Sequence, residues 1–221
     1  MTNNVFTWIF VPKTINSMTL VSKKFWEKKM SAFELIYLRR SIRRFKQKTL
    51  EYELLKKFVD AGRVAPSASN MQPLEYIAVD EPATVNTIFK HTEWARFLPN
   101  GTGRPSAGQQ PVAFIIILVN KEHETAWTGH DVGAAAENII LTALQNQVGS
   151  CWLASVNRKK VADLLKIPEK YKIDSVIALG YPDEEPVMEP VKDSTAYYRD
   201  ETGRLHVPKR ELNDILHRNI F

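Results

Sequence analysis

The sequence predicts one α/β domain in which helices and strands share a core, and three observations carry that reading. Residues 112–119, Val-Ala-Phe-Ile-Ile-Ile-Leu-Val, form a nearly unbroken apolar run of strand length, which suits a central strand covered on both faces. Residues 130–148 place Val132, Ala135, Ala136, Ile139, Ile140, Ala143 and Leu144 at helical intervals, predicting a long helix whose alanines permit close packing. No composition break or Gly/Ser-rich linker divides the 221 residues, a length that one domain accommodates.

The elements follow in order. Ser31-Ala32-Phe33-Glu34 is a capping box before an apolar run, so a helix is expected from there to about Arg40. A second helix is expected over 50–61, with Glu51 and Glu53 at its positive end, Leu54, Leu55, Phe58 and Val59 on one face, and Gly62 as its stop. Residues 76–79 read as a strand, Pro82 opens a short helix, and residues 91–110 form a polar loop long enough to be a lid or binding loop. Gly149 is expected to end the long helix. A strand over 151–154, a helix after Asn157, a break at Pro168 and a strand over 175–179 come next. The last forty residues read as an extended arm that ends in a short helix over 209–217.

Composition narrows the function classes. With 44% hydrophobic and 25% charged residues the chain belongs with soluble globular proteins. Cys151 is the only cysteine, so no intrachain disulfide forms, and the cytoplasm is favoured. The net charge of +5 is concentrated in residues 39–48 and 204–210, clusters that suit one phosphate group better than a nucleic-acid track. The aromatic and basic interleaving of a base-stacking surface is missing, so no nucleic acid is expected as a partner. Residues 5–11 are apolar but much shorter than the roughly 20 residues of a membrane span. They are expected to belong to an N-terminal extension, residues 1–30, ahead of the domain at 31–221, with no membrane as partner and no clean signal-peptide pattern.

Two stretches carry chemistry. Six cations, Arg39, Arg40, Arg43, Arg44, Lys46 and Lys48, crowd residues 39–48 with no acid among them. Such a run is either a solvated basic face or a phosphate site in which guanidinium forks and the Ser41 hydroxyl make charge-assisted bonds. Residues 66–73, Pro-Ser-Ala-Ser-Asn-Met-Gln-Pro, read as a turn cluster. They also suit the polar edge of a flat heterocycle, because Asn70 and Gln72 can each donate and accept.

These stretches belong to a longer series. Arg39-Arg40-Ser41-Ile42-Arg43, residues 66–73, Gly149-Ser150-Cys151-Trp152-Leu153-Ala154-Ser155, Gly180-Tyr181-Pro182 and Val207-Pro208-Lys209-Arg210 resemble, in order, the landmarks of the FMN-dependent nitroreductase family. The likeness spans about residues 31–217. It implies an α+β, three-layer αβα fold with a mixed, mostly antiparallel sheet flanked by helices, and a C-terminal arm exchanged in a homodimer. FMN would lie at the interface, with the phosphate and ribityl end on Arg39, Arg40 and Ser41 and with Arg43 near the phosphate or the pyrimidine edge. Lys209 and Arg210 would close the phosphate site, while Pro66, Ser67, Ala68, Ser69, Asn70 and Gln72 line the ring from the partner subunit. Backbone amides of Leu153, Ala154 and Ser155 would face the flavin N5. Many relatives carry Gly where this chain has Ala154, and the first thirty residues lie outside the pattern.

No Gly-x-Gly-x-x-Gly follows a candidate strand, so NADH or NADPH is expected to bind transiently over the flavin. The activity implied is an NAD(P)H-dependent oxidoreductase passing hydride through flavin N5 to a nitroaromatic, quinone or activated alkene in a ping-pong cycle, with no protein acid or base assigned. Flavin fragmentation, dehalogenation and a non-catalytic flavin-binding role are the alternatives on the same fold. His91, His123, His130, His206 and His217 lack the spacing of a metal site, and Cys151 reads as packing. Trp94 and Phe97, in the expected lid, are either substrate-stacking or structural aromatics.

Overall fold

The structure is a computed structural model that describes residues 30–221. The N-terminal extension expected at residues 1–30 therefore lies, Met30 apart, outside the described residues. Helix α1 (Ala32–Leu38) opens on its capping box: Ser31 Oγ accepts from Glu34 N at 3.2 Å and Glu34 Oε2 accepts from Ser31 N at 2.7 Å. A two-residue strand β1 (Phe45–Lys46) follows, then α2 (Tyr52–Arg63), β2 (Leu74–Val79), α3 (Pro82–Lys90), β3 (Ala113–Asn120), α4 (Thr128–Gln145), β4 (Gly149–Leu153), α5 (Arg158–Leu165) and β5 (Tyr171–Pro182).

β3 lies between β2 and β5, and the far edge of β5 pairs with β4 along 176–180 and with β1 at Tyr181 and Pro182. All these pairings are antiparallel. Every residue of β3 is buried, as expected of a central strand, and its side chains alternate between two cores. Phe114, Ile116 and Leu118 join Val85, Ile88 and Val161 of α3 and α5, while Ile115, Ile117 and Val119 meet Leu55 and Phe58 of α2 and Ile139 of α4. The result is the three-layer αβα arrangement, in which each fully buried isoleucine contributes roughly 1.5–3 kcal/mol of transfer free energy.

Several boundaries depart from expectation. Gly62 lies inside α2 rather than ending it: a Cβ there would stand 2.9 Å from Ile139 Cδ1, so the glycine permits close approach of α2 and α4. Gly149 does not end α4 either. Gln147 takes the left-handed turn, with φ of 62°, and Gly149 opens β4, where a Cβ would meet Ile42 Cγ1 at 2.8 Å. β5 runs twelve residues instead of five because both its edges are paired.

The expected extended arm is a small sheet of its own, with β8 (Leu205–Lys209) between β6 (Val187–Pro190) and β7 (Tyr198–Arg199). The helix expected over 209–217 is a single 3-10 turn, Leu212–Asp214. Leu212, Ile215 and Leu216 are all exposed, so no apolar face is buried against the chain to repay helix nucleation. Among the described residues, no helix is long and apolar enough to cross a membrane.

Candidate functional site

The arginine run is laid along the start of β4. Ser41 forms a parallel bridge with Ser150, and Ile42 N donates to Ser150 O at 2.8 Å. Arg39 Nε pairs with Glu137 Oε1 of α4 at 3.3 Å. The Arg40 guanidinium is buried and donates to Arg39 O and, at 2.9 Å, to Tyr37 O, closing the negative end of α1. Burial, and secondarily the Arg39 charge, push its pKa down. Arg43 turns inward: its N–H donates to Glu184 Oε1 at 2.5 Å, its guanidinium lies 4.9 Å from the Tyr197 ring centre, and its Nε is buried without a hydrogen-bond partner among the described residues. Burial pushes the pKa of the Cys151 thiol up, against the pull of the nearby Arg43 charge.

Residues 66–72 contrast with this packing. Ser69, Asn70 and Gln72 have φ of 50°, 54° and 47°, the left-handed region, where a residue with a Cβ costs about 1–2 kcal/mol. Strain of this kind persists where the surroundings impose it, and it gathers at ligand clamps. Asn70 N donates to Ser67 O at 2.9 Å, Met71 N to Ala68 O at 3.0 Å and Gln72 N to Ser67 Oγ at 3.0 Å. Ala68 N donates at 2.9 Å to Oδ1 of the buried Asp131, on the first turn of α4. Pro66 and Asn70 are exposed, and the Asn70 carboxamide makes no hydrogen bond among the described residues. Beneath the loop is a cavity of about 120 Å³ bordered by Ser67, Gln72, Tyr76 and Asp131. Burial pushes the Tyr76 hydroxyl up to a pKa of about 12.

At the far end of β4, Leu153 is buried while Ala154 and Ser155 are exposed. The loop expected as a lid is stitched to this end: Thr92 bridges Val156, Glu93 N donates to Ser155 O at 2.9 Å and Asn157 N to His91 O at 2.8 Å. Trp94 is a core residue, its Nε1 donating to the buried Thr92 Oγ1 at 2.9 Å. Phe97 is exposed and meets Tyr197 edge-on at 5.4 Å.

Lys209 and Arg210 end the arm sheet, and Arg210 Nη2 donates to Asp214 O at 2.8 Å. Among the described residues neither pairs with the arginine run. The arm meets that run through Glu184, whose Oε2 accepts from Arg199 Nη2 at 2.7 Å with both side chains nearly buried. His206 stands between Glu189 Oε2 at 2.9 Å and Asp200 Oδ2 at 3.0 Å and stacks on Tyr198 at 4.8 Å. An acceptor at each ring nitrogen favours the imidazolium, so the pKa of His206 is raised. The imidazolium holds Glu189 below the usual carboxylate range, and Thr202 together with His206 lowers Asp200.

Sequence reasoning missed Asp131, Glu137 and Glu184, which act across long sequence separations, and the His206 cluster, which the arm sheet assembles. The one local signal was an acid at position 131 on an otherwise apolar helix face. Asp131 and Glu137 show how α4 organises the site, for they hold Ala68 and Arg39 respectively. Six residues apart, they differ by roughly 9 Å along the axis and about 120° around it. One chain thus displays its polar loop and its arginine run on different sides of one helix. Among the described residues, no group of three His, Cys, Asp or Glu side chains is placed to hold a metal.

Comparison with known proteins agrees with this architecture. The sequence model of the nitroreductase family matches residues 36–181. The chain is 33% identical over 156 residues to a putative NADH dehydrogenase/NAD(P)H nitroreductase of Archaeoglobus fulgidus, covering 69% of this chain and 86% of that protein. A protein of the same description from Methanothermobacter thermautotrophicus is 29% identical, with 72% and 81% covered. Among solved structures, an FMN-dependent nitroreductase of Clostridium difficile is 25% identical, with a TM-score of 0.60 over 86% of this chain and 99% of that one.

Proposed function

The chain belongs to the nitroreductase family, and on that premise we propose that it is an FMN-dependent oxidoreductase working as a homodimer, which carries hydride from NADH or NADPH to an electron-poor nitroaromatic, quinone or activated alkene in a ping-pong cycle. The observation that carries this reading is the strained turn at Ser69 and Asn70, which presents an exposed carboxamide with no partner among the described residues. The residues present fit FMN. A left-handed turn offers donor and acceptor to an imide edge, and the half-exposed Arg39 and Ser41 share the run with Arg43, whose buried Nε lacks an acceptor among the described residues.

Arg39 and Ser41 would hold the phosphate and ribityl end, with Arg43 lending charge from behind and Arg40 acting through the end of α1. Lys209 and Arg210 would add cations from the arm. Ser67 to Asn70 and Gln72 would meet the ring edge. That α4 turns loop and run to different sides supports a site in which the loop of one subunit would serve the run of its partner. FMN supplies hydride transfer through its N5 when bound, and the exposed backbone of Ala154 and Ser155, fixed by the Glu93 bond, orients and shields that region. Phe97, exposed beside Tyr197, would stack on an acceptor.

The test is the visible spectrum of the purified protein before and after anaerobic addition of NADH or NADPH. A flavin band that bleaches supports the reading and identifies the donor. A protein that stays colourless after reconstitution with FMN overturns it. Replacing Arg39 and Arg210 together with Ala should strip the flavin, and full retention would remove the phosphate assignment.

A further inference from the structure

We propose that Asp131 is the positioning residue of the ring-edge turn: by holding Ala68 from beneath, it sets the left-handed course of Ser69 and Asn70 and so the place where the Asn70 carboxamide meets the flavin. This rests on the function proposed above. The two bonds from Asn70 N and Met71 N close small local rings and fix no position relative to the core. Gln72 N to Ser67 Oγ is likewise internal to the loop. The bond from Ala68 N to Asp131 Oδ1 spans 63 residues and ties the turn to a helix of eighteen residues packed on the sheet.

The carboxylate is built into its place. Asp131 is 5% exposed, and its second oxygen is buried with no donor among the described residues. That residue borders the cavity that Ser67, Gln72 and Tyr76 also line, directly under the loop. A buried carboxylate oxygen is costly to leave where it is, so the site keeps an acid for what the other oxygen does. A hydrogen bond from a backbone amide to a side-chain oxygen on a packed helix fixes that amide relative to the core. It therefore suits a turn in which three residues occupy the left-handed region against their preference.

An alternative role for an acid on the first turn is to stabilise α4 through its dipole, which predicts lower stability but no selective effect on the turn. Asp131→Ala and Asp131→Asn separate the two. In the FMN-free protein, hydrogen exchange at the Ala68 amide should rise by about tenfold or more in Asp131→Ala and stay near wild type in Asp131→Asn, whose carbonyl keeps the acceptor. The FMN dissociation constant should likewise rise about tenfold in the Ala variant and recover to within about twofold in the Asn variant. At saturating FMN the midpoint potential of the Ala variant should differ from wild type, because the carboxamide is no longer held.

Unchanged Ala68 exchange in Asp131→Ala overturns the proposal, as does an unaltered potential. Equal losses in both variants overturn it too, since they assign the effect to the charge. Should Asp131→Ala fail to fold, Asp131→Ser, too short to reach Ala68 N, takes its place with the same outcomes. A wild-type chain that binds no FMN defeats the functional reading alone, while Ala68 exchange still decides whether Asp131 holds the turn.

Discussion

The arginine run and the loop over residues 66–72 meet their surroundings in opposite ways. The run carries most of the local charge, yet much of it is engaged within the chain: Arg40 closes α1, Arg39 pairs with Glu137, and Arg43 is tied through Glu184 to the arm. The loop carries no charge, holds three residues at positive φ, and leaves the Asn70 carboxamide without a partner among the described residues. The difference teaches that a count of cations overstates what a ligand can use, whereas backbone strain with a free side chain marks a surface built for something outside the chain.

The largest effect that would break this contrast is expected at Glu184. Glu184→Ala strands Arg199 in a site where the two side chains are only 10% and 5% exposed, and removes the acceptor of Arg43 N. Loss of one partner of a buried pair costs about 3–5 kcal/mol, to be read as the shift in urea unfolding free energy. A change below about 1 kcal/mol would mean that the pair is no stronger than a surface one and that the run is not anchored by the arm.

A smaller effect sharpens the account of the loop. Ser69→Gly should be about 1 kcal/mol more stable than Ser69→Ala in thermal or urea unfolding, because only the second retains a Cβ at φ of 50°. Equal stabilities would show that the turn relaxes and stores no strain.

The smallest effect concerns the arm that carries Lys209 and Arg210. The pKa of His206 is raised, so its contribution is fully present below the ordinary histidine value of about 6.5 and is lost as pH rises through the higher folded value. Glu189 and Asp200 are lowered, so theirs is present above about pH 4 and is lost as pH falls through their depressed values. Protection of residues 187–209 from hydrogen exchange should therefore be greatest between about pH 4 and 6.5, modestly so because these pairs are reached by solvent. His206→Gln should flatten the profile, and a flat wild-type profile would dismiss the clamp.

Much of the scaffold was legible from local pattern. The capping box at Ser31, the apolar run that became β3 and the spacing that became α4 were read from residues whose neighbours in sequence are also their partners in structure, or whose burial on two faces leaves one solution. The glycines were misread because a stop signal and a close contact use the same residue: Gly62 and Gly149 are required by Ile139 and Ile42, which lie far away in sequence. The arm was misread because its strands pair with one another across a gap of residues that periodicity does not bridge. In the candidate site, residue types were legible and their engagement was not. Trp94 and Arg40 looked equally available in sequence, and both are buried on partners of their own.

The sequence by itself determined the layers of this protein, because helix and strand follow from the period of its apolar residues, and it determined the family through the order of its short motifs. The tertiary structure alone decided which cations remain free, which glycines are spacers, and that one buried aspartate of α4 seats a turn 63 residues away. These depend on the approach of groups remote in sequence, and hydrogen bonds and ion pairs act only over a few ångströms.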